Sequence, residues 1–395
     1  LVTAYDIIFF WVARMIFSGL EHTKQIPFDT VFMHGLVRDA QGRKMSKSLG
    51  NGIDPMDIIN KYGADSLRFS LVQNMTLGND VKYSEEKAMS TKNFANKIWN
   101  ASKFVLANID ETLKEYKEEN LRIEDKWILN KLDKLVVDVT NHIEKYEIGI
   151  AATKIYDFIW SEFCDWYIEI VKPRLYSKED EAKKEVMYTL NHVLVCSLKL
   201  LHPFMPFITE RIYKELIVEK ESIMLEKWPE IKENYKYDKE EEEIEILKNI
   251  IVNIRNIRAN MNVVPSKKTN LIFVTQKYKT LLEDSNEFLK KLGYAENIII
   301  QEDKKNIPSN AISIVQEGIE VFIPFEELVD IEKELERLKG EKEKLEAEVA
   351  RASKMLANKG FIEKAPKAKI EEEEAKLKKY REMLETVEKR ISEMK

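Results

Sequence analysis

Arg38, Arg43, Lys44 and Lys47 place four cations within ten residues, interleaved with the hydroxyls of Ser46 and Ser48 and followed by Gly50 and Gly52. A lysine ammonium is a mobile point charge that needs less fixed geometry than a guanidinium. Two of them on a glycine-flanked loop suit transient contact with a polyphosphate. Loop closure would bring the ammonium groups to where negative charge builds up in a transition state. A solvated basic turn is the plainer explanation, and composition alone favours it. Position argues the other way: His34 and Gly35 directly follow Thr30-Val31-Phe32-Met33, which reads as a strand. Open α/β sheets bind ligands beyond the C-terminal ends of their parallel strands.

The elements that must carry this loop alternate over residues 1–83. Leu1-Val2-Thr3 ends a strand, and Asp6 to Phe17 reads as a helix apolar on nearly every face, hence buried. Asp54-Pro55 supplies an N-cap and a first helical residue for a short helix that stops near Gly63, and Ala64 starts the next. Strand, helix, strand and loop in this order predict the last portion of a parallel, Rossmann-like sheet. The apolar run opening at Leu1 reads as a strand caught mid-domain, so the chain is expected to be the C-terminal part of a longer protein.

Residues 84–238 are helical in period, with segments near 85–109, 124–146, 149–171, 178–200 and 206–217 punctuated by Gly149, Pro173 and Pro203. They predict a helical bundle. Residues 239–326 read as a small mixed α/β connector: a helix from Ile244 to Met261, then Leu271–Val274, Asn297–Ile300 and a hairpin across Ile312–Ile323. The tail, 327–395, steps by threes and fours from Leu328 to Leu356 and again from Ile370 to Met394, around the helix breakers Gly360 and Pro366. Two heptad arms around a breaker predict an antiparallel coiled-coil hairpin projecting about 40 Å. The fold class is therefore mainly α with an α/β start.

Bulk composition narrows the chemistry. The chain has 395 residues, 44% apolar and 33% charged, with no apolar run long enough for a membrane span. Cys164 and Cys196 are its only cysteines; two buried thiols suit a reducing cytoplasm, and no metal-ligand spacing occurs. The net charge of −6 argues against indiscriminate nucleic-acid binding while leaving room for local basic patches.

Other candidates read as structural. Trp160 and Trp166 belong to the bundle core, His142 and His192 lie in helical patterns, and His202 before Pro203 caps a helix or joins the core. Asp157, Glu162 and Asp165 share a helix, but acid–base work would need a cleft. Arg255 and Arg258 share a helix face, where RNA contact and a surface ion pair are equally open.

The wider strings change the weight given to the loop. Phe32-Met33-His34-Gly35-Leu36-Val37-Arg38-Asp39 followed by Gly42-Arg43-Lys44-Met45-Ser46-Lys47-Ser48-Leu49-Gly50-Asn51 resembles the second nucleotide-binding signature of class I aminoacyl-tRNA synthetases. Tyr62 to Phe69 continues the match. Thr3 to Met15 and the terminal hairpin resemble the valyl branch, while Ser161–Tyr167 and Leu201–Phe207 resemble the bundle shared by its valyl, isoleucyl and leucyl members.

That resemblance implies ligation of valine to tRNA(Val), with ATP and Mg2+ as substrate and no resident metal. It implies catalytic roles for Lys44 and Lys47 at the ATP phosphates. The ATP site would comprise Asp6 at the ribose, His34 and Gly35 beside the adenosine, and Lys44, Met45, Ser46, Lys47 and Ser48. Ala4 departs from the glycine of many relatives and would crowd the nucleotide. Lys354, Lys359, Lys364, Lys367 and Lys369, with Phe361 among them, would meet the tRNA body through its phosphates. The protein is expected to be a cytoplasmic monomer. No His-Ile-Gly-His-type string and no editing insertion occur, so this chain alone is expected neither to activate valine nor to edit. The alternatives are isoleucyl or leucyl specificity, and a non-catalytic tRNA-binding module.

Overall fold

The computed structural model describes all residues except 110–117, 178–179, 232–236, 329–330, 359–366 and 394–395. The chain forms two compact units, Leu1–Leu247 and Lys248–Lys395. It is mostly helical, with a small mixed sheet in the second unit.

The first unit opens with two short parallel pairs. β1 (Val2–Ala4) pairs with β2 (Phe32–His34), and β3 (Val37–Arg38) pairs with β4 (Val81–Lys82). The register sets Ala4 opposite His34, so the chain leaves β1 and β2 at the same, C-terminal end. After β1 comes one 3-10 turn (Tyr5–Ile7), a π-helical stretch (Ile8–Val12) and α1 (Ala13–Thr23). The expectation that this helix is buried is wrong. Only Val12 is buried; Phe9 is 85% exposed, and Phe10, Trp11 and Phe17 are exposed too. All-round apolarity specifies that a helix needs cover, but whether cover exists depends on what else packs there.

α2 (Pro55–Tyr62) starts as read: Asp54 caps it by accepting from the Met56 amide at 2.8 Å, with Pro55 next. α3 (Ala64–Val72) follows and runs into the helical part, not away from it. Phe69 is fully buried beside Phe94 (ring centroids 5.5 Å) and Phe204 (6.3 Å). Asp65 accepts from the amides of Phe207 and Ile208, and Arg68 donates to the Pro203 carbonyl at 3.1 Å. The bundle comprises α4 (Glu85–Leu106), α5 (Ile123–Glu144), α6 (Ile148–Asp157), a π-helical stretch (Phe158–Tyr167), α7 (Ile168–Leu175), α8 (Asp180–Leu201) and α9 (Pro206–Tyr213).

Two expected helix breaks are displaced by a few residues: α5 ends at Glu144 before α6 starts at Ile148, and α7 ends at Leu175 before α8 starts at Asp180. Pro173 lies inside α7, and Gly149 is the second residue of α6. Gly149 is there for clearance: a Cβ would stand 2.2 Å from the Met75 carbonyl oxygen. Two buried carboxylates of the bundle meet at Arg174, whose guanidinium lies 2.6 Å from Glu124 and 2.7 Å from Asp125. The Tyr167 hydroxyl donates to Asp125 at 2.7 Å.

The expectation of two core tryptophans also needs correcting. Trp160 and Trp166 are half-buried, and Trp127 is the fully buried one. Trp160 stacks on Tyr156 with the Lys97 ammonium 3.8 Å from its ring centroid, so it belongs to the bundle rim. Cys164 and Cys196 are half-buried thiols in no disulfide, not the fully buried ones expected, and desolvation pushes the Cys164 thiol up to about 12.

α10 (Asp238–Asn260) leads to the second unit's sheet, ordered β6 (Ala295–Gln301), β5 (Thr269–Val274), β8 (Ile319–Ile323), β7 (Ile312–Gln316). β5 and β6 are parallel, and the other pairs are antiparallel. α11 (Lys279–Asp284) and α12 (Asn286–Leu292) make the crossover between β5 and β6. The hairpin expected around Gly318 joins β7 and β8. Neither surface role weighed for Arg258 holds. It is buried, donates to the carbonyls of Val264 and Lys267 and lies over the Tyr294 ring, so it clamps the turn after α10.

After α13 (Phe325–Leu328) come α14 (Ile331–Ala357) and α15 (Lys367–Glu393), 27 residues each. Leu338, Leu345 and Val387 form their common core, with Tyr380, Leu384 and Ile391 around it. Lys342 and Glu388 are ion-paired at 2.8 Å. That pair fixes the direction. Lys342 precedes the end of α14 by fifteen residues, and Glu388 follows the start of α15 by twenty-one. Parallel helices would leave the joined ends about 54 Å apart at ~1.5 Å per residue. The nine linking residues give ten Cα–Cα steps, which reach about 35 Å, so the two helices are antiparallel.

Candidate functional site

The lysine loop leaves β3 through a tight return. Arg38 bridges Lys44, the Asp39 amide donates to the Arg43 carbonyl at 3.0 Å, and the Gly42 amide donates to the Asp39 carbonyl at 2.9 Å. Inside this return the Asp39 carboxylate is saturated. It accepts from the amides of Gln41 (3.1 Å) and Arg43 (2.8 Å), from Arg43 Nε (2.7 Å) and from Asn51 Nδ2 (2.9 Å). The Asn51 hydrogen bond, helped by Arg43, holds the carboxyl down to about 2. Asn51 Oδ1 in turn accepts from the Ser46 amide at 2.9 Å. Ser46 Oγ lies 3.1 Å from Ser48 Oγ and accepts from the Leu49 amide, closing a second turn across Lys47.

Met45 differs in burial from the two lysines that it separates. It packs against the cluster of Ile58, Tyr83 and Ala88, together with Tyr62 and Leu67, and so pins the middle of the loop to α2, α3 and α4. Lys44 and Lys47 are left exposed on either side. Lys44 Nζ reaches Asp6 Oδ2 at 2.9 Å. Two residues singled out from separate strings are therefore in contact.

A second anchor joins the loop's root to the end of β1. Asp80 accepts from the Leu36 amide at 2.7 Å, from Arg38 Nε and from the Tyr5 hydroxyl at 3.1 Å. These bonds, the Leu36 amide foremost, hold its carboxyl below the usual range. Gly35 is obligatory here: a Cβ would stand 1.8 Å from the Asn79 carbonyl oxygen. His34 Nδ1 donates to the Gly35 carbonyl at 2.9 Å.

Asp6, His34, Gly35, Lys44, Met45, Ser46, Lys47 and Ser48 thus gather at the C-terminal ends of β1 and β2 and on the loop beyond β3. Asp39, Asn51 and Asp80, which hold that arrangement, carried no role in the sequence reading. Asp39 and Asn51 were visible only as letters of a matching string, and nothing local marks Asp80. Three further histidines make contacts within the bundle: His142 meets Glu147 at 2.7 Å, His192 stacks on Tyr188, and His202 Nδ1 lies 2.7 Å from Thr209 Oγ1. Asp157 and Asp165 are exposed, and Asp165 pairs with Lys97 at 2.5 Å. Among the described residues no cluster of His, Cys, Asp or Glu could hold a metal ion, and no helix is long and apolar enough to cross a membrane.

In the second unit, Lys354 near the end of α14 and Lys369 near the start of α15 are exposed. Lys367 is the first residue of α15. Lys359, Lys364 and Phe361, with the breakers Gly360 and Pro366, lie outside the described residues.

Three segments match known families: residues 1–84 the class I tRNA synthetases (I, L, M and V), residues 125–273 the anticodon-binding domain of tRNA ligase, and residues 330–395 the valyl tRNA synthetase tRNA binding arm. The chain is 50% identical over 398 residues to the valine–tRNA ligase of Clostridium acetobutylicum, covering 100% of this chain and 45% of that protein. Its whole length is similar to valyl-tRNA synthetases. The valine–tRNA ligase of Clostridium perfringens is likewise 50% identical, over 99% of this chain and 45% of its own. The chain thus spans under half the length of the curated relatives it matches. A solved ternary LeuRS-tRNA-LeuAMS complex from Agrobacterium radiobacter K84 covers 59% of this chain and 28% of its own, at 20% identity and a TM-score of 0.48.

Proposed function

We propose that the full-length protein is a valine–tRNA ligase, and that this chain supplies its phosphate-binding lysine loop and its tRNA-binding parts. The observation that carries the reading is the loop itself. Met45 is docked and Asp39 and Asn51 are locked, yet the two lysines beside them are left in solvent. A surface turn needs no such support; a loop that must present two cations to a charged ligand does.

In this reading a carboxylate oxygen of valine attacks the α-phosphorus of Mg2+-bound ATP, and pyrophosphate leaves. A terminal ribose hydroxyl of the tRNA then attacks the carbonyl carbon, and AMP leaves. Lys44 and Lys47 balance charge on the phosphates, His34 and Gly35 border the adenosine, and Asp6 engages the ribose. Mg2+ arrives with the nucleotide. Ala4, at the end of β1 opposite His34, is where the nucleotide meets an added methyl.

Four parts divide the work. Residues 1–83 belong to the catalytic domain, 84–238 form the bundle that meets the anticodon region, 239–326 form a connector, and 327–395 form a coiled-coil arm. Exposed cations at Lys354 and Lys369, with Lys359, Lys364 and Lys367 between them in sequence, would brace the tRNA body through phosphates. The bare face of Phe9, Phe10 and Phe17 is where the rest of the catalytic domain would lie. The enzyme would act as a cytoplasmic monomer. Valine-dependent ATP–pyrophosphate exchange by the full-length protein, abolished in Lys47→Ala, tests the reading. Weakened tRNA binding with an unchanged exchange rate in that variant would instead favour the module that only binds RNA.

A further inference from the structure

We infer that Asn51 is a positioning residue for activation, its amide setting the backbone on both sides of Met45 so that Lys44 and Lys47 project together. The inference rests on the proposed phosphate role of those lysines and names the part of this chain that makes it work.

Three bonds meet on one planar group. Asn51 Oδ1 accepts from the Ser46 amide (2.9 Å), while Nδ2 donates to Asp39 Oδ2 (2.9 Å) and to the Lys44 carbonyl (3.3 Å). Lys44 and Ser46 flank Met45, so a single side chain ties the peptide before Met45 and the peptide after it. The backbone on either side of Met45 cannot shift without breaking this clamp or lifting Met45 from Ile58, Tyr83 and Ala88. Asp39 is itself held by Gln41 and Arg43, which extends the clamp into the return off β3.

The chemistry demands an amide. The Ser46 amide needs an acceptor, and Asp39 and the Lys44 carbonyl need a donor. Aspartate keeps the shape and loses the donor, and it would set a second carboxylate against Asp39. Two carboxylates that close do not both ionise readily, and a shared proton restores the missing donor at lower pH. Asn51→Asp should therefore show a pH dependence that the native enzyme lacks, with activity falling as pH rises. A residue that only supports folding would not produce it.

The test uses the full-length protein and ATP–pyrophosphate exchange from pH 5.5 to 8.5, with Asn51→Ala, Asn51→Asp and Lys47→Ala. Displacing reacting groups by an ångström costs on the order of 100-fold in rate, so Asn51→Ala should lower kcat roughly 10- to 100-fold with the KM for valine unchanged. Asn51→Asp should recover part of that loss toward pH 5.5. Native kcat in Asn51→Ala, alongside a crippled Lys47→Ala, would overturn the inference and leave the lysine reading standing. Native exchange in Lys47→Ala as well would remove both. If Asn51→Ala does not fold, the Asn51→Asp profile decides: a profile parallel to the native one overturns the inference.

Discussion

Lys44 Nζ and Asp6 Oδ2 are 2.9 Å apart, joining the loop beyond β3 to the turn after β1. The contact is open to water, with the lysine side chain 62% and the aspartate 29% exposed. Exposed pairs contribute about 0–1 kcal/mol, so this one is not what holds the loop. Its significance is competitive: the partners are the cation proposed for the phosphates and the carboxylate proposed for the ribose, and each must exchange the other for nucleotide.

Lys44→Ala should therefore separate stability from activity. Thermal unfolding of the full-length protein should move by no more than a degree or two. The ATP–pyrophosphate exchange rate should fall by ~100- to 1000-fold, the usual effect of removing one charge-stabilising donor. A large loss of Tm with little loss of rate would mean that the ion pair is structural after all.

Arg174 makes the opposite prediction. Its guanidinium, Glu124 and Asp125 are all buried, and burial pushes the Glu124 carboxyl up despite the arginine beside it. Arg174→Met strands two buried carboxylates and should cost about 3–5 kcal/mol in urea unfolding. A carboxyl with a raised folded pKa destabilises once the unfolded chain ionises, so the loss should be greater at pH 8 than at pH 5. Equal losses at both values would place the cost in packing alone.

The Asp39 carboxyl gives a pH signature for the loop. Its pKa is depressed from 3.8 to about 2, so its contribution is present above pH 3.8 and disappears as pH falls through about 2. Carboxyl-carbon NMR should find this aspartate titrating well below the usual carboxylate range, and Asn51→Ala, which removes the largest cause, should move it upward. An ordinary titration in the native protein would contradict the clamp.

Lys354 and Lys369 should act through charge alone. Replacing both with glutamine should weaken tRNA binding and lower the slope of log affinity against log salt by about one for each phosphate no longer neutralised, leaving amino-acid activation unchanged. An unchanged slope would remove these two positions from the RNA surface.

Local patterns carried much of the architecture. The Asp54-Pro55 start of α2, the helical periods of the bundle, the hairpin at Gly318 and the two long tail helices follow from capping, periodicity and turn chemistry, which act over a few residues. The loop lysines were legible because charge, hydroxyls and glycine crowd one short string. Asp80 was not, since it meets Leu36 and Arg38 across more than forty residues.

By itself the sequence determined which segments are helix or strand, which residues could face a phosphate, and which strings tie the chain to the valyl-tRNA synthetases. Only the tertiary structure decided that α1 lies bare, that Arg258 is a buried clamp and that Trp160 sits on a rim. It alone brought Lys44 to Asp6 and wrapped Asn51 around Met45. The reason is physical: hydrophobicity and propensity are properties of residues, whereas burial, clearance and hydrogen-bond satisfaction belong to pairs that meet only after the chain has folded.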